Sequence, residues 1–193
     1  MRLVGICGAI RGGKSTIGQM FSDYCRDVKQ YSFADALKED CAKLMPREQL
    51  GWTGIDWSGK KSAEGRSLLQ THAEKRRSED VNYWMNQVKN KIEEEKPKIA
   101  VITDTRYMNE LNWIAEQEQP IIYVRHTKQE LVWLKGYTNN DPLYQHGSET
   151  SWRLWLHCNP YKYVELWNDS DLTTLKMQVE RFFSFDLPLY PSI

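Results

Sequence analysis

The residues best suited to chemistry are Gly8, Arg11, Gly12, Gly13, Lys14, Ser15 and Thr16, within Gly8-Ala9-Ile10-Arg11-Gly12-Gly13-Lys14-Ser15-Thr16. Their spacing fits G-x-x-x-x-G-K-[ST], the phosphate loop. Glycine lets the backbone turn so that successive N–H groups face one phosphate. A helix starting at Lys14 adds the positive end of its dipole. Lys14 is positioned to reach the β- and γ-phosphates of ATP, and the Ser15 hydroxyl to hold Mg²⁺. The alternative is a glycine-rich turn that matches by chance.

Other candidates lie far along the chain. Asp104 ends the apolar run Ala100-Val101-Ile102-Thr103, where phosphate-loop enzymes keep an acidic residue for Mg²⁺. Capping a helix is its other reading. Arg106 offers a planar fork for phosphate or carboxylate, and Glu110 can orient it across one helical turn, or pair with it as a plain surface pair. Asp35, in Ser32-Phe33-Ala34-Asp35-Ala36-Leu37-Lys38, is either an acceptor of a substrate proton or an N-cap. Residues 60–77 carry six basic and two acidic side chains, either an anion site or a solvated face. Arg125 and Arg153 flank a polar stretch and suit a lid closing on a transferring phosphate. Asn168-Asp169 suits an adenine edge or a simple turn. His146 is assigned no role.

The elements that must position these residues follow from periodicity. Strands are predicted at 2–7, 28–33, 99–103, 121–124 and 161–167, and helices at 14–26, 34–45, 66–79, 80–95, 107–118, 128–135, 149–158 and 172–185. Residues 46–66 are read as an irregular insertion holding Trp52 and Trp57. Residues 136–146 are read as a flexible loop, and the tail 187–193 as having no regular structure. Strands alternating with helices imply an α/β fold: a mostly parallel five-stranded sheet with helices on both faces. Ligands then gather at the carboxyl ends of the strands, so Gly8, Asp35, Asp104, Arg125 and Asn168 are expected to face one crevice.

Composition sets bounds. The 193 residues suit one domain, with 46–96 as an acceptor-binding segment and 126–158 as a lid region. The net charge of zero supplies no global field for nucleic acid. No apolar run approaches the roughly 20 residues of a membrane span, and no signal-peptide layout is visible. Cys7, Cys25, Cys41 and Cys158 are scattered, without the spacing of a zinc site or disulfide framework. They read as reduced thiols in a cytoplasm.

Taken in order, several blocks resemble the phage-type deoxynucleoside monophosphate kinases. These are Gly8-x₄-Gly13-Lys14-Ser15, Ser32-Phe33-Ala34-Asp35-x-Leu37-Lys38, Leu68-Leu69-Gln70 with Arg76-Arg77 and Trp84, Asp104-Thr105-Arg106-Tyr107-x-Asn109-Glu110, His146-x-Ser148-Glu149 and Asn168-Asp169. The resemblance implies a P-loop NMP-kinase-like fold and transfer of the γ-phosphoryl of ATP to a deoxynucleoside 5′-monophosphate, with Mg²⁺ at Ser15 and Asp104. It implies nucleotide contacts through residues 8–16 and Asn168. Asp35, Lys38, Gln70, Arg76, Arg77, Trp84, Arg106, Glu110 and Glu149 fall on the acceptor side. Lys14, Arg106, Arg125, Arg153 and Asp35 are its candidate catalytic groups. Two alternatives stay open: a kinase for a hydroxyl on a modified base, in a nucleotide or in DNA, and an ATP-binding regulator without transfer. The expected partner is a small nucleotide, with DNA only under the first alternative, no membrane, and a possible homodimer. The expected setting is the cytoplasm, that of a host if the chain is phage-encoded.

Overall fold

The computed structural model describes residues 1–44 and 63–185. In chain order these form β1 (Arg2–Gly8), α1 (Lys14–Tyr24), β2 (Val28–Tyr31), α2 (Phe33–Leu44), α3 (Ala63–Glu79), α4 (Tyr83–Glu95), β3 (Ile99–Ile102), α5 (Met108–Ala115), β4 (Ile121–Arg125), α6 (Thr127–Thr138), α7 (Pro142–Gln145), α8 (Gly147–Cys158), β5 (Val164–Trp167) and α9 (Leu172–Phe185). They fall into two units: Met1–Tyr31 with Lys96–Ile193, and Ser32–Glu95. The predicted insertion around Trp52 and Trp57, and the tail 187–193, lie outside the described residues.

The first unit is built on five parallel strands in the order β2-β3-β1-β4-β5. The inner strands are apolar at nearly every position, as a sheet covered on both faces requires. On one face Val4, Ile6, Val101, Ile122, Val124 and Leu166 meet Ile17 and Phe21 of α1 and Leu175, Val179, Phe182 and Phe183 of α9. The Phe21 ring centroid lies 5.5 Å from Phe182 and 4.7 Å from Phe183. Each such side chain contributes about 1.5–3 kcal/mol by leaving water. On the other face α5 presses on β1 so closely that a Cβ at Gly5 would stand 2.6 Å from Ile114 Cδ1. Trp152 of α8 lies on Tyr123 there, at 5.6 Å. This is the expected fold class.

Several boundaries differ from expectation. β2 stops at Tyr31, because the Ser32 hydroxyl accepts the Asp35 N–H at 3.3 Å and starts α2. The last strand starts at Val164 instead of residue 161. The predicted flexible loop at 136–146 is the end of α6 followed by α7. Asp141 accepts the Leu143 N–H at 2.9 Å as an N-cap, with Pro142 in the first turn. Aromatic packing fixes the segment: Trp133 stacks on Tyr137 at 5.0 Å and donates to the Tyr144 carbonyl at 3.1 Å. Gly136 leaves room for the Tyr144 ring, 2.1 Å from where a Cβ would sit.

The second unit contains α2, α3 and α4, which pack on one another; Phe33, Cys41, Leu69, Ala73, Trp84, Val88 and Ile92 are its buried apolar residues among those described. Among the described residues no helix is long and apolar enough to cross a membrane.

Candidate functional site

β1 delivers the chain into a turn that only special backbone angles allow. Arg11 has φ 60° and Gly13 φ 96°, both left-handed. The Gly12 N–H donates to the Ala9 carbonyl at 3.0 Å. At Gly13 a Cβ would also stand 2.2 Å from Asn168 Nδ2, so both backbone and space demand glycine. Gly13 caps α1 without a side chain, and no side-chain bond occupies that helix start. First-turn N–H groups and the helix dipole therefore favour an anion there.

Lys14 is the buried cation of the loop, 7% exposed. Its Nζ donates to the Gly8 and Ala9 carbonyls, each at 2.8 Å. Burial, and then the positive charge of Arg106, pull its pKa down to about 8, while Glu149, Cys7 and Asp104 oppose the shift.

Arg106 follows β3 by way of buried Thr105, whose N–H donates to the Ile6 carbonyl at 3.1 Å. Glu110 sits at the start of α5 and accepts the backbone N–H groups of Arg106 (2.8 Å) and Tyr107 (3.0 Å). It therefore fixes the Arg106 backbone. The expected hold on the guanidinium comes from Glu149, whose Oε1 lies 2.8 Å from Arg106 Nη1. Glu149 Oε2 accepts the Ile10 N–H of the phosphate loop at 3.3 Å. A side chain expected to contact substrate thus joins Arg106 to the loop, at 1% exposure.

Arg125 and Arg153, expected at a lid, each meet acidic and aromatic partners. Arg153 lies 2.9 Å from Glu130 and 3.7 Å from Glu149, and also donates to the Glu149 carbonyl. Its guanidinium is sandwiched between Trp133 (3.8 Å) and Trp152 (3.9 Å). That arrangement ties α8 to α6. Arg125 pairs with Glu165 at 3.4 Å and covers the Trp167 ring at 4.5 Å. Both pairings follow from the sheet, which sets Arg125 beside Trp167.

Asn168, read as an adenine contact or part of a turn, donates its Nδ2 to the Gly12 carbonyl at 3.0 Å and so braces the loop. Asp169 accepts the Thr127 N–H at 2.7 Å and fastens the start of α6. His146, given no role, caps α8 by accepting the Ser148 N–H at 3.2 Å.

In the second unit, Asp35 is 60% exposed and its carboxylate lies 2.6 Å from Lys38 Nζ. Gln70 is half-buried on α3. Arg76 and Arg77 lie in the last turn of α3. Arg76 contacts Asp40 (3.4 Å) and Glu79 (3.5 Å) and covers the Tyr83 ring at 4.9 Å. Trp84, expected near substrate, is a core residue: it is 2% exposed and donates to the Ala73 carbonyl at 3.2 Å. Sequence reading missed Asp40, which also meets His72 Nε2 (2.8 Å) and the Tyr83 hydroxyl (3.3 Å). It missed Glu130 and the Ile10 N–H as well. The adjacent Trp152-Arg153 pair was the one local sign of the arginine sandwich.

For a metal, Ser15 lies exposed in the first turn of α1, and the half-buried Asp104 acts on neighbouring Lys14. Among the described residues no cluster of three or more His, Cys, Asp or Glu exists. One hydroxyl and one carboxylate fit Mg²⁺, which keeps several waters and uses few protein ligands beside substrate phosphates. They do not fit zinc.

No protein-family model matches the chain, and no curated protein matches it. Among solved structures it is similar to TT1252 from Thermus thermophilus: 15% identity, TM-score 0.51, covering 95% of this chain and 96% of that one. Weaker likenesses are to deoxyadenosine kinase from M. mycoides (14% identity, TM-score 0.46, 94% and 98% covered) and thymidylate kinase from Ehrlichia chaffeensis (8%, 0.41, 94% and 98%). The likeness to TT1252 is one of fold alone; in this chain the phosphate loop follows the central strand of the five-stranded sheet.

Proposed function

We propose that the protein is a phosphate-loop kinase that transfers the γ-phosphoryl of ATP to the 5′-phosphate of a deoxynucleoside monophosphate. The observation that carries this reading is that Glu149 joins Arg106 to the Ile10 N–H of the loop that holds Lys14 and left-handed Arg11 and Gly13. Phosphoryl transfer asks mainly for positioning and for cations around developing charge. Lys14 supplies one cation from within the loop. Arg106, tethered by Glu149 and by Glu110 at its backbone, supplies a second that is partly open to solvent at 29% side-chain exposure. Ser15 and Asp104 would hold Mg²⁺, which neutralises charge on the β- and γ-phosphates.

The acceptor is a phosphate oxygen, already ionised at neutral pH, so no strong base is needed. What supports a deoxynucleotide acceptor is the order of motifs from Gly8 to Asp169. The test is to incubate the protein with ATP, Mg²⁺ and each deoxynucleoside monophosphate, 5-modified pyrimidines included, and to separate the products. Formation of a deoxynucleoside diphosphate from at least one is expected. Conversion of none, by a protein that binds ATP, overturns the proposal.

A further inference from the structure

The phosphate loop already faces an anion, supplied by the chain itself. Glu149 is a buried carboxylate whose two oxygens serve different groups: Oε1 holds Arg106 at 2.8 Å, and Oε2 takes the Ile10 N–H at 3.3 Å. A cationic fork and a loop N–H are the donors a phosphate oxygen would take. Ser148 Oγ, 3.4 Å from Arg106 Nη1, is the neighbouring neutral contact. Behind Glu149 stands Arg153, fixed by Glu130 and the two tryptophan rings. Glu149 can therefore give up the loop N–H and remain neutralised by two arginines.

We propose that Glu149 is an internal stand-in for the terminal phosphate of a nucleoside triphosphate. It keeps Ile10 and Arg106 in place in the empty protein, and it yields the Ile10 N–H when the phosphate enters while retaining Arg106. Glu149 is thus a positioning residue that discriminates triphosphate from diphosphate. This inference rests on the phosphate-loop reading above.

The test is calorimetric titration with ATP and with ADP, without acceptor, of the wild type and E149Q, whose side chain keeps the shape and loses the charge. Removing the competing carboxylate should tighten ATP binding about fivefold or more and leave ADP within about twofold, since a charged hydrogen bond is lost from the empty state only. The same variant should lower kcat at least about tenfold, because Arg106 loses its ionic tether. A purely structural role would instead weaken both nucleotides alike. Wild-type binding of ATP with an unchanged ATP-to-ADP ratio in E149Q overturns this inference alone. A wild type that binds neither nucleotide overturns the phosphate-loop reading with it. If E149Q does not fold, the ¹⁵N resonance of the Ile10 amide in the wild type decides. It should move on saturation with a non-hydrolysable ATP analogue and not with ADP, and an unmoved resonance contradicts the inference.

Discussion

Two carboxylates, one in each unit, each gather arginine and further hydrogen-bond donors. Asp40 collects His72, Arg76 and Tyr83 from α3 and the start of α4. Glu149 collects Arg106, Arg153 and the Ile10 N–H. The first hub joins helix to helix, and Arg76 lies over an aromatic ring. The second includes a backbone N–H of the turn that holds left-handed Arg11 and Gly13, beside a lysine whose pKa burial lowers to about 8. The same chemistry thus serves two purposes. A carboxylate bound to side chains of packed helices stabilises; one bound to a phosphate loop prepares a site.

That contrast can be broken by removing cations from the second hub. Lys14→Ala should abolish transfer, a loss at or beyond the upper end of the 10²–10³-fold seen when one preorganised donor is removed. Arg106→Ala should cost about 10²-fold in kcat by the same reasoning, with a smaller change in ATP affinity. Steady-state kinetics checks both. Equal activity of either variant and the wild type would erase the distinction between the hubs.

Backbone comes next. Gly13→Ala strains a φ of 96° and drives a Cβ into Asn168. The cost should be about 1–3 kcal/mol, read as a Tm lower by about 2–4 °C for each kcal/mol, with ATP binding lost in calorimetry. Asp40→Asn should cost about 1–3 kcal/mol of stability with ATP affinity within about twofold of wild type, because its partners lie among helices. Burial pushes the Asp40 pKa up, but the His72 hydrogen bond, the Arg76 charge and the Tyr83 hydroxyl bring it below its ordinary value. A depressed carboxylate stabilises above its unfolded pKa, and that contribution fades as pH falls through the folded value. Wild-type Tm should therefore fall more steeply than that of Asp40→Asn below about pH 4.

The smallest effect is on the Lys14 titration. With its pKa lowered to about 8, the free protein should bind ATP less well as pH rises past that value. Arg106→Ala removes a charge that depresses the lysine, so the midpoint of affinity against pH should move upward.

The sheet and the loop were legible because their signals are local. An apolar run, a glycine-rich turn and a helix start occupy consecutive positions, and α9 spans the residues that periodicity gave it, Leu172–Phe185. The Glu149 hub was not legible, because its partners lie 139 residues away at Ile10 and 43 away at Arg106. No periodicity reports such pairings. Asn139-Asn140-Asp141-Pro142 misled in another way: residues that favour turns also start helices, and α7 uses Asp141 as cap and Pro142 in its first turn. Trp84 came to the acceptor side through the resemblance, which does not tell a buried ring from one that lines a cleft; it is 2% exposed.

The most direct measurement is ADP release from ATP and Mg²⁺ with and without a deoxynucleoside monophosphate, in the wild type and in Lys14→Ala. A transfer site predicts ADP that rises with acceptor concentration in the wild type and stays at background in the variant. Tight ATP binding by the wild type with no dependence on any acceptor would make this a protein that holds the nucleotide without transferring phosphate, and would contradict the account.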